Sequence, residues 1–129
     1  MAVYTTIDDP EAYFQTALHA GTGSELAVTL PGDTDMQPNL TWIKNRSSDY
    51  SHRLYDSVRG ATKLLYPDLA DVEGTDAQGV KSWQSDGFTV GTDGGINENT
   101  SAIVSWNWKE SATAGFDIVS YAGTGSAKT

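Results

Sequence analysis

The sequence predicts an all-β protein, an antiparallel β-sandwich with room for a short N-terminal helix and one further helical turn. Three observations carry this. Apolar residues recur with period two more than with the helical period. Clusters of Gly, Asp, Asn and Ser punctuate the chain between short apolar runs. No segment has a strong amphipathic helical stripe, and many short strands at near-even spacing with Gly-rich turns are the pattern of a sandwich. A chain of 129 residues is enough for one core.

Taken in order, DDPEAYFQTAL opens with helix signals: Pro10 near a start and Asp8 or Asp9 as a cap. ELAVTL, TWIKN and SHRLYD then read as short strands, separated by PGDTD at 31–35 and NRSSDYS at 45–51. YPDLADVE suits a single helical turn, and DVEGTDAQG at 71–79 is a loop. GVKSW and GFTVG are strands, with Phe88 and Val90 on one face. After the loop GTDGGINEN at 91–99 comes the clearest strand, SAIVSWNWKE. It places Ala102, Val104, Trp106 and Trp108 on one face, and Ile103, Ser105, Asn107 and Lys109 on the other. GFDIVSYAG follows, with Phe116 and Ile118 opposite Val119 and Tyr121, and is expected to close a sheet. The expected core is Ile43, Leu54, Phe88, Val104, Trp106 and Phe116. The expected organisation is an N-terminal arm over 1–11, a sandwich over 12–121 and a linker-like tail over 122–129, the start of a further repeat.

That last expectation comes from an internal repeat. AGTGS occurs at 20–24 and again at 122–126. Over residues 12–24 and 114–126, seven of thirteen positions are identical, among them Phe14 with Phe116 and Gly21 with Gly123.

Composition narrows the function. The formal net charge is -9, so phosphate-rich nucleic acid and anionic membrane surfaces would be repelled. There are no cysteines, hence no disulfides and no thiolate metal sites. The opening MAVYTTIDDPEAYF has neither a basic stretch nor a continuous apolar one, so no leader is expected, and no run approaches the ~20 apolar residues of a membrane span.

Catalytic patterns are missing. His19 and His52 are the only histidines and no HExxH occurs. GTGSE is neither a nucleophile elbow nor a phosphate loop. No strand carries two alternating acids of the kind glycosidases use. The expectation is a non-enzymatic protein with no cofactor and no resident metal. Asp93, Asn97 and Asn99 offer oxygen ligands for calcium, but their spacing fits no calcium loop.

The polar cluster that stands out is Arg46, His52, Arg53, Asp56, Arg59 and Lys63; with Lys44, five of the eight Lys and Arg residues fall within 44–63. It reads either as a basic patch for an acidic glycan or subunit, or as structure, with Asp56 and Arg59 pairing across the turn in D-S-V-R-G. Trp83, Trp106 and Trp108 pose a parallel choice between core and sugar platform.

The motifs also carry a resemblance. PNLTWIKNRSSDYSHRLYDSVRGATKLL and WQSDGFTVGTDGGINENTSAIVSWNWKESATAGFDIVSYAGTG resemble a family of domains common in marine phages and their metagenomic relatives. Trp42 to Arg46, Ser57 to Ala61, Asp86 to Gly91 and Trp106 to Lys109 match its W-I-K-N-R, D-S-V-R-G-A, S-D-G-F and W-x-W-K motifs. Trp83 departs where the pattern has Phe, and Thr100 to Ile103 replace a Gly-x-x-Tyr stretch. The resemblance implies a concanavalin A-like jelly roll. It also implies a bacteriophage virion structural protein, assembled in the host cytoplasm: a capsid decoration, a head fibre or a tail-fibre adaptor. Its partners would be other virion proteins and further copies of itself. A host-surface glycan is the alternative ligand.

Overall fold

A computed structural model describes residues 6–127; Met1 to Thr5 of the expected arm, and Lys128 and Thr129 of the expected tail, lie outside the described residues. The chain is an all-β sandwich of two antiparallel sheets. A 3-10 turn, Pro10–Ala12, comes first, capped by the Asp9 side chain accepting from the Glu11 N–H. The strands are β1 (Phe14–Ala20), β2 (Leu26–Thr29), β3 (Leu40–Asn45), β4 (Arg53–Asp56), β5 (Lys63–Leu65), β6 (Gly74–Thr75), β7 (Val80–Gln84), β8 (Gly87–Val90) and β9 (Ala102–Trp108), with a one-turn helix α1 (Gly94–Asn97) before the last. Six strands form one sheet in the order β1-β9-β3-β4-β5-β6, and three form the other in the order β2-β8-β7.

Apolar side chains from both sheets meet between them. Ala17, Ile43, Tyr55, Leu64 and Ile103 come from the larger sheet, and Val28, Val80, Phe88 and Val90 from the smaller. Met36 and Ile96 fill the ends from loop and helix. β8 is buried along its whole length, as the central strand of a three-stranded sheet should be.

The inner face of the larger sheet also carries a polar row. Thr41 Oγ1 donates to Asn107 Oδ1 at 3.0 Å, and Asn107 Nδ2 donates to Ser105 Oγ at 3.0 Å and to the Gln15 carbonyl at 3.2 Å. Asn45 Nδ2 donates to the Gly94 carbonyl at 3.0 Å and to Glu98 Oε2 at 3.1 Å. Asn97 Nδ2 donates to the Ser24 and Gly91 carbonyls. Buried amides are tolerated here because both ends of each find partners.

Three expectations change. First, AYFQTAL is not helical: only Pro10–Ala12 turns, and β1 starts at Phe14. The Pro and cap signals were local, while Gln15 and Ala17 alternate with exposed neighbours in a strand. Second, the core is only partly as expected. Ile43 and Phe88 are fully buried in it, and Val104 is buried outside the main cluster. Leu54, Trp106 and Phe116 are only half-buried. The inward face of β9 is Ile103, Ser105 and Asn107, and the tryptophan face looks out. Alternation identifies which residues share a face; the hydrogen-bonded amide row decides which face turns in. Third, GFDIVSYAG does not close a sheet. Phe116 makes a single bridge to Ser111, and residues 117–127 belong to no strand. The edge of β9 where it would pair is already held by β1, from Phe14 opposite Trp108 to Ala20 opposite Ala102.

Candidate binding surface

The outer face of the six-stranded sheet carries apolar side chains that are partly open to solvent. Cross-strand register stacks its side chains in rows. Phe14, Trp108 and Leu40 are aligned across β1, β9 and β3. Thr16, Trp106, Trp42, Leu54 and Leu65 are aligned across β1, β9, β3, β4 and β5. Directly opposed side chains on one face are the closest neighbours a sheet offers, which explains the aromatic contacts. Trp42 and Trp106 meet edge to face with centroids 6.2 Å apart, and Phe14 tilts against Trp108 at 5.0 Å. Phe14 is 40% exposed, Leu18 67% and Trp42 37%.

His52 completes the patch. Its ring stands edge-on to Trp42 at 5.7 Å, and Trp42 Nε1 donates to His52 Nδ1 at 2.8 Å. That bond assigns the remaining hydrogen of a neutral imidazole to Nε2. Trp42, His52, Trp106 and Trp108 together line a shallow cleft of about 250 Å³. It has flat aromatic walls and three ring N–H groups besides that of Trp42, those of Trp106, Trp108 and His52, the chemistry of a surface that stacks on an apolar face and orients it with a few polar contacts.

The chain after β9 lies over part of this sheet. Phe116 stacks on Trp108 at 6.4 Å with an interplanar angle of 26°. Ile118, Val119, Ser120 and Tyr121 run beside Asp56, Val58, Arg59, Leu65 and Glu73. Glu110 and Asp117 face one another here, and the bond between these two carboxyls holds the Glu110 pKa above its ordinary value.

The basic cluster read from the sequence does not form one patch. Arg46 is exposed beyond β3, and its backbone N–H donates to the Ala102 carbonyl. Arg53 turns inward: its Nε lies 3.1 Å from Asp93 Oδ2, its Nη1 donates to the Ser51 carbonyl, and its guanidinium covers the Tyr66 ring at 4.7 Å. Asp56 and Arg59 make the turn pair that D-S-V-R-G suggested. One carboxylate oxygen accepts from Arg59 Nε at 2.6 Å and the other from the Arg59 backbone N–H at 2.8 Å. Lys63 Nζ donates to Thr75 Oγ1 at 2.7 Å. Of the six, only His52 lines the aromatic cleft, while Asp56 stands opposite Leu40 at the end of the row of Phe14 and Trp108. A calcium site at Asp93, Asn97 and Asn99 is also not formed. Asp93 caps α1 and pairs with Arg53, and Asn97 is buried among backbone groups.

Trp42 and Phe14 were missed as surface residues. Their signal was Trp42 alternating with buried Thr41 and Ile43, a pattern that needs the inward face to be known before it can be used.

A family model matches residues 9–129, nearly the whole chain, under the description "Domain of unknown function (DUF7483)". The chain belongs to that family. No curated protein and no solved structure matches it. The family description assigns no ligand, so the chemistry of the surface has to be argued from its residues. Among the described residues, no group of three or more His, Asp or Glu side chains converges as a metal site, and no helix is long and apolar enough to cross a membrane.

Proposed function

We propose that this domain is a non-enzymatic structural module of a bacteriophage particle, on the particle surface as a capsid decoration, head fibre or tail-fibre adaptor. The W-I-K-N-R, D-S-V-R-G-A and W-x-W-K motifs support the phage setting through the resemblance they carry. The observation that carries the contact role is the outer aromatic face, where Phe14, Trp42, Trp106 and Trp108 are aligned by strand register and left half-covered. Aromatic side chains on a rigid sheet supply contact area at low entropic cost, which is what a subunit interface needs. Charged groups elsewhere are engaged in holding the fold, as in Arg53 with Asp93 and Arg59 with Asp56, which leaves them poorly placed for acid–base chemistry. The test is to label the protein on intact particles with a specific antibody and image them. Regular labelling of head or tail is the expected result; label confined to host-cell lysate contradicts the proposal.

A second reading has its own observation, the cleft of Trp42, His52, Trp106 and Trp108. Sugar rings stack their C–H faces on indole, and His52 Nε2 would donate to a hydroxyl. Quenching of tryptophan fluorescence by a neutral oligosaccharide, lost in Trp106→Ala, supports a glycan-binding module. Unchanged fluorescence across a glycan panel removes it.

A further inference from the structure

The chain carries the sequence of its own edge strand twice, and the structure shows what the shared residues do in the first copy. Phe14 packs on Trp108 at 5.0 Å. Ala20 sits opposite Ala102 at the end of the register. Gly21 is buried where a Cβ would overlap the Glu98 carbonyl oxygen, and its N–H donates to the Ser101 carbonyl at 2.8 Å. The Thr22 N–H donates to Asn97 Oδ1 at 2.8 Å. The Gly23 N–H donates to the Asn97 carbonyl at 2.8 Å, and Gly23 has a left-handed φ of 68°. Ser24 accepts from Asn97 Nδ2 through its carbonyl. These contacts define a slot made of the β9 edge and the turn from Asn97 to Ser101. The residues that fill it recur as Phe116, Ala122, Gly123, Thr124, Gly125 and Ser126. Between the matches the two copies differ: Asp117 falls at the place of Gln15, whose buried amide accepts from the Gly32 N–H and donates to the Glu11 and Thr34 carbonyls, Val119 at that of Ala17 and Tyr121 at that of His19.

One backbone feature of the first copy is repeated in the second. Gly125 has a φ of 73°, the left-handed conformation of Gly23, while Gly123 has open space around it. Its route leads away from its own slot. Residues 118–121 lie beside Asp56, Arg59 and Leu65, toward the β4–β5 side, whereas the slot is at the β1 end of the same sheet and is filled. Val119 is 72% exposed.

We infer that residues 116–126 are a strand ligand for the β1 slot of a second copy of this chain. In that copy they lie antiparallel on β9, with Phe116 on Trp108 and the Gly-Thr-Gly-Ser turn on Asn97. Val119 takes the inward place of Ala17, and Tyr121 that of His19. The recipient's own β1 leaves as the new strand enters, so the number of docked strands is unchanged. Exchange is then governed by concentration and by how firmly each strand is held. This goes beyond the particle assignment and does not depend on it.

The test uses the full chain with Gly21→Val and Gly123→Val together, which leaves the slot without a competent strand. A synthetic peptide of residues 112–127 is added. The inference predicts a saturable rise in melting temperature, absent for the same peptide carrying Gly123→Val. If the double variant does not fold alone, the peptides are added during refolding and recovery of native tryptophan fluorescence is read instead. No shift and no recovery, or the same response to both peptides, overturns the inference. Gly21→Val alone, which keeps its tail, should form concentration-dependent dimers or larger species that vanish when Gly123→Val is added. A rescue that stays monomeric at all concentrations would put the tail in its own slot and overturn the exchange between copies.

Discussion

The two faces of the six-stranded sheet differ in what their residues are for. The inner face holds Ile43, Tyr55 and Ile103 together with Thr41, Asn45, Ser105 and Asn107, all with no measurable exposure. The outer face holds Phe14, Leu18, Leu40, Trp42, Trp106 and Trp108, all partly open to solvent. The more polar face is therefore the buried one. The amides inside are fixed by several hydrogen bonds each, which makes the interior specific as well as dry. The rings outside touch one another in pairs and are covered only in part, by Phe116 stacked on Trp108 and by residues 118–121 beside Leu65. The contrast sets a packed, hydrogen-bonded interior against outer tryptophans that keep part of each ring open to solvent.

The sharpest way to break this comparison is a substitution on the inner face. Ile103→Ala should lower stability by about 2–5 kcal/mol, the cost of a cavity in a packed core, read by chemical denaturation. A loss of a few tenths would mean that β9 does not present Ile103 to the core.

Next come the polar groups of the interior. Asn97→Ala removes partners from the Thr22 N–H and from the Ser24 and Gly91 carbonyls, and should cost about 1–3 kcal/mol. Arg59→Ala leaves a buried Asp56 carboxylate with only the backbone N–H of position 59, for a loss of about 1–3 kcal/mol. Both are measured as shifts in the denaturation midpoint. If Arg59→Ala keeps full stability but loses a binding partner, the turn belongs to the recognition surface instead.

A smaller effect is expected from acid. Burial holds the His19 imidazole below its ordinary pKa of 6.5, against the opposing influence of the Ile96 carbonyl. The folded state thus binds the proton less well than the unfolded one. Stability is complete above pH 6.5 and declines as pH falls below it, until the folded-state pKa is passed. Hydrogen bonds from Ser101, Ser48 and Asn45 lower the Glu98 pKa from 4.5 and act in the same sense at lower pH. His19→Gln should flatten the decline near pH 6; an unaltered slope there would remove His19 as its cause.

Much of this fold was legible in the sequence. Period-two alternation located β2, β3, β4, β7, β8 and β9, and turn chemistry located the breaks between them. What alternation does not specify is which side of a strand faces in. For β9 the tryptophans suggested one answer, and the bonds of Asn107 with Thr41 and Gln15, from strands distant in sequence, impose the other. The same limit hid the site. Trp42 and His52 are ten positions apart, and only the β3–β4 pairing brings them together. The final segment read as a strand because it is one in composition; its pairing edge was already occupied by its own earlier copy.

The central proposal is that the outer tryptophans serve a contact rather than the fold. Trp42→Ala with Trp106→Ala tests it most directly, by measuring melting temperature and incorporation into particles on the same samples. Half-covered rings should cost about 1–2 kcal/mol each, so the variant should stay folded at growth temperature while its incorporation is lost. A variant that unfolds, or one that stays folded and is incorporated at the normal level, would contradict the account.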